Sequence, residues 1–296
     1  MTILLVGAAG QLGLAVQAVA QNNNIVVQAF SRDALDITDM TALRHCFAQY
    51  RPKFLINAAA YTAVDLAETQ MDCAMRLNAD APKILAALCA EYDCVLIHPS
   101  TDYVFDGCQS MPYREEDSPH PLSVYGRSKL AGETLIQASG VKHIILRVSW
   151  VFGLDGKNFV KTILRLAKEK ETLSIVSDQI GCPTAAVHIA QVIFTLIAAI
   201  NHGQVHFGIY HYADLPAVSW YDFAKQIIAC ASQYTAFPLR EIVSIKSCDF
   251  KTAAVRPMNG QLECSKIATD YHINRYDWLS ALEQTVQMLL APNQNK

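Results

Sequence analysis

A chain of 296 residues holds one large domain or two modest ones and can bury an ample core. Its composition, 52% hydrophobic and 17% charged, is that of a soluble globular protein. A net charge of −3 with no basic block argues against nucleic acid or an anionic membrane as a partner.

The N-terminal MTILLVGAAG lacks a basic n-region and reads as a strand, not a signal peptide. Strand 3–7 is followed by a Gly-bearing turn and a helix from about 12 to 20. A second strand spans 25–30, and a helix over 40–50 takes Asp39 as its N-cap. Strands at 54–59, 94–100 and 143–149 alternate with helices at 79–91 and 125–138. Near-continuous apolar strands separated by helices predict a parallel sheet covered on both faces, with right-handed crossovers and a doubly wound α/β fold.

Beyond about Phe152 the rhythm loosens into helices near 158–170, 187–201, 219–233 and 277–291, with short strands between them. The run 208–213 reads as a strand returning to the sheet. The expected division is a dinucleotide-binding Rossmann domain over 1–152, joined by 208–213, and a smaller mixed α/β substrate-binding domain over 153–296. The apolar run 189–200 is too short to span a bilayer and contains Gln191 and Thr195. The terminal PNQNK is expected to fray. Nine scattered cysteines with no Cys-x-x-Cys fit a reducing cytoplasm better than a disulfide framework or a zinc site.

The turn Gly7-Ala8-Ala9-Gly10-Gln11-Leu12-Gly13 lies between the first strand and the first helix. Glycines there allow close backbone approach, and the helix N-terminus offers free N–H groups to a pyrophosphate. The second strand ends Phe30-Ser31-Arg32, without the carboxylate that NAD-preferring sites place there. A hydroxyl beside a guanidinium suits the 2′-phosphate of NADP, although a solvated loop arginine would look the same. Asp36 and Ile37 are placed to flank the adenine. Ala58, Ala59 and Ala60 end the third strand with small residues, against which a cofactor, or equally a helix, can lie.

Thr101 sits at the carboxyl edge of the fourth strand, where open α/β sheets bind ligands. Tyr125 and Lys129 are four residues apart, hence on one face of a helix. An ammonium near a phenol is expected to lower the tyrosine pKa and fit it for proton transfer. A surface Tyr/Lys pair is the plain alternative.

In order, the Gly-rich turn, NAAA, STDYVF and YGRSK resemble the extended short-chain dehydrogenase/reductases. Longer strings, NAAAYTAVDLAE (57–68), STDYVFDG (100–107), VYGRSKLAGE (124–133), LRVSWVFG (146–153), NFVKTILRLA (158–167), SDQIGCPT (177–184) and RPMNGQL (256–262), resemble the dTDP-4-dehydrorhamnose reductase family through almost the whole chain. The resemblance implies a catalytic set of Thr101, Tyr125 and Lys129, with NADPH as hydride donor and NADH left open. It implies that Tyr125 protonates the sugar C4 oxygen, that Lys129 binds the nicotinamide ribose, and that Thr101 polarises the ketone. Asp102, Thr62, Val64, Trp150, Asn158 and Arg256 are the implied substrate-side residues of a nucleotide sugar. Trp150 is a sugar wall or a core indole; Arg256 pairs with the diphosphate or forms a structural salt bridge. Gly260 stands where relatives commonly carry serine, which puts the local diphosphate contacts in doubt. Some relatives bind magnesium through acidic residues at a dimer interface; Ala15 and Val187 stand there in this chain, so no metal is assigned, magnesium stays open, and a homodimer has no metal bridge to support it. Another nucleotide-sugar reductase or epimerase, or a non-catalytic NADP-binding regulatory relative, are the rival readings.

Overall fold

In the computed structural model, which describes residues 1–291, the predicted alternation of strand and helix is realised with small shifts of boundary. The first half contains strands β1 (Ile3–Val6), β2 (Val27–Phe30), β3 (Phe54–Asn57), β4 (Val95–Thr101) and β5 (His143–Val148). Between them lie helices α1 (Gln11–Asn22), α2 (Met40–Tyr50), α3 (Val64–Ala67), α4 (Met71–Met75), α5 (Ala81–Glu91) and α6 (Val124–Ala138). The second half runs β6 (Val151–Phe152), α7 (Phe159–Glu169), β7 (Thr172–Val176), β8 (Ile180–Gly181), β9 (Thr184–Ala185) and α8 (Ala186–Asn201). It continues β10 (Gly208–His211), β11 (Val218–Ser219), α9 (Trp220–Ala231), β12 (Glu241–Ile245), α10 (Ser265–Tyr271) and α11 (Trp278–Leu290). The terminal PNQNK lies outside the described residues.

Six parallel strands form one sheet in the order β10-β5-β4-β3-β1-β2. β10 pairs with β5, as the run 208–213 was expected to do. β1, β3 and β4 are almost wholly buried because helices cover both faces, whereas the edge strand β2 is half-buried. One face packs Ile3, Leu5, Ile97 and Leu146 against Val16 of α1 and Ile193 of α8. The other packs Leu4, Leu55 and Leu96 against Leu43 and Phe47 of α2 and Leu85 of α5. A separate core of Phe152, Ile163, Phe223, Trp278 and Leu282 unites α7, α9 and α11.

Several local expectations need correction. The third strand stops at Asn57 and leaves Ala58–Ala60 outside the sheet. The helix expected from 79 begins earlier, because α4 runs through a π-helical segment (Arg76–Asp80) into α5. α10 carries no periodic signal strong enough to have been read. Asp39 does cap α2, its carboxylate accepting from Thr41 and Ala42 N–H.

α6 is seated by close approaches. A Cβ on Gly132 would lie 2.0 Å from the Asn78 carbonyl oxygen in the π-helical segment. Glu133, one residue on, pairs with Arg147 of β5 at 2.7 Å, both buried, and Arg147 also reaches His211 of β10 at 3.3 Å. Removing one member of such a pair strands a buried charge, so it fixes where α6 lies on the sheet.

Candidate active site

The strand order reverses between β1 and β3, the place where open α/β sheets bind ligands. Gly7 leaves β1 with φ +76°, and a Cβ there would lie 2.3 Å from the Ala59 backbone nitrogen. Only glycine permits both the left-handed conformation and that approach. Gly10 caps α1 without any side-chain hydrogen bond, and the first turn carries no acidic residue. The α1 N-terminus is therefore an unblocked cluster of N–H groups, suited to a diphosphate.

A cleft of about 230 Å³ opens over this turn, lined by Gly7, Gly10, Arg32, Asp36, Ile37 and Ala58–Ala60 of the expected set. Ala9, Leu35 and Leu77 also line it and were not anticipated; Leu77 lies in the π-helical segment, far from any nucleotide motif. Ser31 faces its own loop through its carbonyl, which accepts from Ala34 and Leu35 N–H. Asp36 accepts from the Thr38 N–H and hydroxyl, which hold its carboxyl below the usual range. Gln11 accepts from Asn158, and Leu12 and Gly13 lie within α1. The cleft is a cradle in which glycine and alanine leave room where Cβ or longer side chains would intrude, and its donor set fits a dinucleotide.

Thr101 ends β4, and its hydroxyl accepts from the Tyr103 N–H at 3.2 Å, starting a short 3-10 turn (Asp102–Val104). Ser123 caps α6 by accepting from Gly126 N–H, which places Tyr125 in the first turn. Burial pushes the Tyr125 phenol up to about 12, against the smaller opposing influence of the Thr101 hydroxyl. The expected lowering by Lys129 does not occur in this state. Lys129 is buried, donating to the Pro99 carbonyl at 2.8 Å and meeting His98 Nε2 at 3.2 Å. Desolvation lowers its ammonium to about 8.

A larger cleft of about 1420 Å³ is lined by Tyr103, Phe159, Trp220, Phe250 and Arg256 among others. Tyr103 meets Tyr125 edge-on at 5.6 Å, so the larger cleft reaches the catalytic candidates through this ring. Arg256 lines that cleft while pairing with Asp65 at 2.8 Å, so both earlier readings of it have a basis.

Of the five other expected substrate residues, three have structural tasks here. Asp102 turns inward, accepting from Ser149 and Thr101 at 3.1 Å each, and burial raises its carboxyl to about 7. Trp150 stacks on Trp220 with ring centroids 3.4 Å apart, and it is Trp220 that lines the cleft. Asn158 caps α7 and donates to Gln11 and Gly153. Val64 opens α3 half-buried. Thr62 is exposed on the loop before it. Gly260 has a physical reason: a Cβ there would lie 2.4 Å from the Asp102 carboxylate, so serine would displace it. Ala15 packs against the core, Val187 is exposed, and no cluster of metal-ligating side chains occurs among the described residues.

Asn78, His98 and Asn57 escaped the sequence reading. Asn78 donates to the Tyr61 carbonyl and to Ser128, locking the loop after β3 to α6. Asn57 and His98 each follow an apolar run and Asn78 sits between Arg76 and Asp80, so no local pattern marks them.

No helix among the described residues is long and apolar enough to cross a membrane. The family model described as RmlD substrate binding domain matches residues 1–291. The chain is 42% identical to a dTDP-4-dehydrorhamnose reductase of Aggregatibacter actinomycetemcomitans, covering 95% of this chain and 97% of that one. It is 35% identical to a crystallised dTDP-4-dehydrorhamnose reductase of Clostridium acetobutylicum, with a TM-score of 0.90 over 98% of this chain and 99% of the other. A Bacillus anthracis dTDP-4-dehydrorhamnose reductase in complex with NADP is 33% identical, with a TM-score of 0.88 over 96% and 98% of the two chains. The dinucleotide cradle and these likenesses agree: the chain belongs to the dTDP-4-dehydrorhamnose reductase family of extended short-chain dehydrogenase/reductases and is an NAD(P)H-dependent oxidoreductase.

Proposed function

We propose that this protein reduces the C4 ketone of dTDP-4-dehydro-L-rhamnose to dTDP-L-rhamnose, with NADPH as the preferred cofactor. The product would supply rhamnose for a cell-surface polysaccharide such as lipopolysaccharide. The observation that carries this reading is the meeting of Thr101 and Tyr125 at the carboxyl edge of β4, beside the dinucleotide cleft, in a chain with full-length likeness to reductases of that name.

When bound, the nicotinamide supplies a hydride to the sugar carbon. The chain supplies the rest. N–H groups at the start of α1 hold the diphosphate of the dinucleotide, and Arg32 holds the 2′-phosphate. Ile37, Leu35 and Leu77 offer an apolar wall to the adenine. The Thr101 hydroxyl and the Tyr125 phenol hold the ketone oxygen. With its phenol pushed up to about 12, Tyr125 carries its proton through neutral pH and gives it to the developing alkoxide. Arg256 offers its guanidinium to the sugar-nucleotide diphosphate, and Phe159 and Trp220 offer flat apolar surface to its base. The division into a cofactor unit (1–152 with β10) and a substrate unit (153–296) follows the same reading, except that α8, within the second range, covers the sheet of the first.

The test is to incubate pure protein with NADPH and dTDP-4-dehydro-L-rhamnose and follow nicotinamide absorbance. Loss of absorbance with formation of dTDP-L-rhamnose supports the proposal. Turnover only with a different nucleotide sugar moves the protein to another reductase or epimerase. Tight NADP binding with no turnover of any nucleotide sugar favours a regulatory relative.

A further inference from the structure

Asn57, His98 and Lys129 form a buried chain that runs from the rim of the dinucleotide cleft to the catalytic lysine. They are 1%, 0% and 3% exposed. The Ala59 N–H donates to Asn57 Oδ1 at 3.2 Å. A peptide N–H can only donate, so this contact fixes which end of the Asn57 amide is oxygen. Asn57 Nδ2 therefore points at His98 Nδ1, 3.0 Å away, and must donate to it. His98 Nδ1 then carries no proton. A neutral imidazole must carry its one proton on Nε2, which faces Lys129 Nζ at 3.2 Å. An N–H facing an ammonium would set two donors against each other.

We propose that His98 is a positioning residue that donates its Nε2 proton to Lys129 and parks it as a neutral amine, so that charging Lys129 releases it from His98 toward the face of α6 that carries Tyr125. The parked amine keeps two protons, one of which it gives to the Pro99 carbonyl. Taking a third proton removes its lone pair and ends its bond to His98. Charge and position of the lysine are thus tied together. The surroundings agree. Burial and the nearby Lys129 and His143 hold His98 well below the ordinary histidine range, so it stays neutral. Glu133, the carboxylate that acts on Lys129, is engaged by Arg147, and desolvation lowers the lysine to about 8. Tyr125 and Asp102 face Thr101 on the other side of the site, both raised by burial.

This inference depends on the reduction proposed above only for its meaning in turnover, so its first readout needs no substrate. In protein labelled with 15N-histidine, the ring-nitrogen spectrum of His98, identified by its absence in His98→Gln, should show the neutral Nε2–H form from pH 6 to 9. The Nδ1–H form in the wild type would overturn the proposal outright. The second readout is the titration of Lys129, followed through its 13Cε resonance. A glutamine at 98 can flip its amide and accept from the ammonium, so in His98→Gln the lysine should titrate about one pH unit or more higher. The alkaline limb of kcat should move the same way. An unchanged Lys129 titration in correctly folded His98→Gln contradicts the proposal. If the tautomer is as stated but no nucleotide sugar is turned over, the functional reading fails and the parked lysine stands.

Discussion

Gly126 and the Tyr103 carbonyl are in such close contact that a Cβ on Gly126 would lie 2.2 Å from that oxygen. The helix bearing Tyr125 is thereby pressed against the turn that begins at Thr101. In an open helix, Gly→Ala gains up to about 1 kcal/mol of propensity. Here the neighbour is backbone and cannot swing aside, so overpacking of about 1–3 kcal/mol should win. Gly126→Ala is expected to lower stability by that amount and to reduce kcat at least tenfold, with NADPH affinity retained. Urea unfolding and steady-state kinetics check it; a more stable and fully active variant would show that the contact does not set the site.

Arg32 lines the dinucleotide cleft, on the loop that follows β2. Loss of a charge-assisted contact to a 2′-phosphate costs about 1.5–3 kcal/mol. Arg32→Ala should weaken NADPH binding by roughly 10–100-fold and leave NADH nearly unchanged. Calorimetric titration with both cofactors decides, since equal losses would mean that Arg32 does not read the phosphate.

The parallel sheet and the dinucleotide turn were legible because both rest on local rules: unbroken apolar strands, and glycines between a strand and a helix. Thr101, Tyr125 and Lys129 could be placed because strand ends and helical spacing fix direction. What could not be read is how a buried side chain spends its hydrogen bonds. Lys129 is a turn from Tyr125 in sequence, yet its amine is held by His98, thirty-one positions away. The family resemblance implied substrate-side roles for Asn158 and Asp102; the structure adds a helix cap for the first and buried bonds to the Thr101 and Ser149 hydroxyls for the second. Such pairings are set by tertiary contact alone.

Asp102 links stability to pH. Its folded pKa of about 7 exceeds the ordinary 3.8 because burial penalises the charged form. The folded state therefore binds more protons between those values. Its contribution is fully present below pH 3.8 and is lost as pH rises through 7. Between pH 5.5 and 8.5 the carboxyl should cost the fold about 2 kcal/mol, and Asp102→Asn should abolish that part of the pH dependence. Denaturant unfolding of both proteins at the two pH values tests this; identical pH trends would remove Asp102 as the cause.

Trp150 adopts φ +43° and stacks on Trp220, while its indole fills the space above Gly181. Truncation leaves a cavity beneath the ring that lines the larger cleft. Trp150→Ala should lose about 3 kcal/mol of stability and raise KM for the nucleotide sugar, with NADPH affinity nearly intact. Equal weakening of the cofactor in a folded variant would place the indole on the wrong side of the site.

The Tyr125 phenol faces the Thr101 hydroxyl at the end of β4. Hydride transfer without a proton would leave an alkoxide on the sugar, and general-acid removal costs about 10²–10⁴-fold in rate. Tyr125→Phe keeps the ring against Tyr103 and removes the proton. It should lower kcat by that factor with NADPH binding little changed. Thr101→Val should also lower kcat with a near-normal fold, since it removes the partner hydroxyl and the cap of the 3-10 turn. Because burial pushes the phenol up to about 12, the wild-type rate should not fall below pH 10 through loss of the Tyr125 proton. An alkaline limb starting near pH 8 would instead report Lys129 losing its charge, and it should persist in the residual activity of Tyr125→Phe. If Tyr125→Phe turns over its best substrate at close to the wild-type rate, the proton comes from elsewhere and the catalytic assignment is wrong.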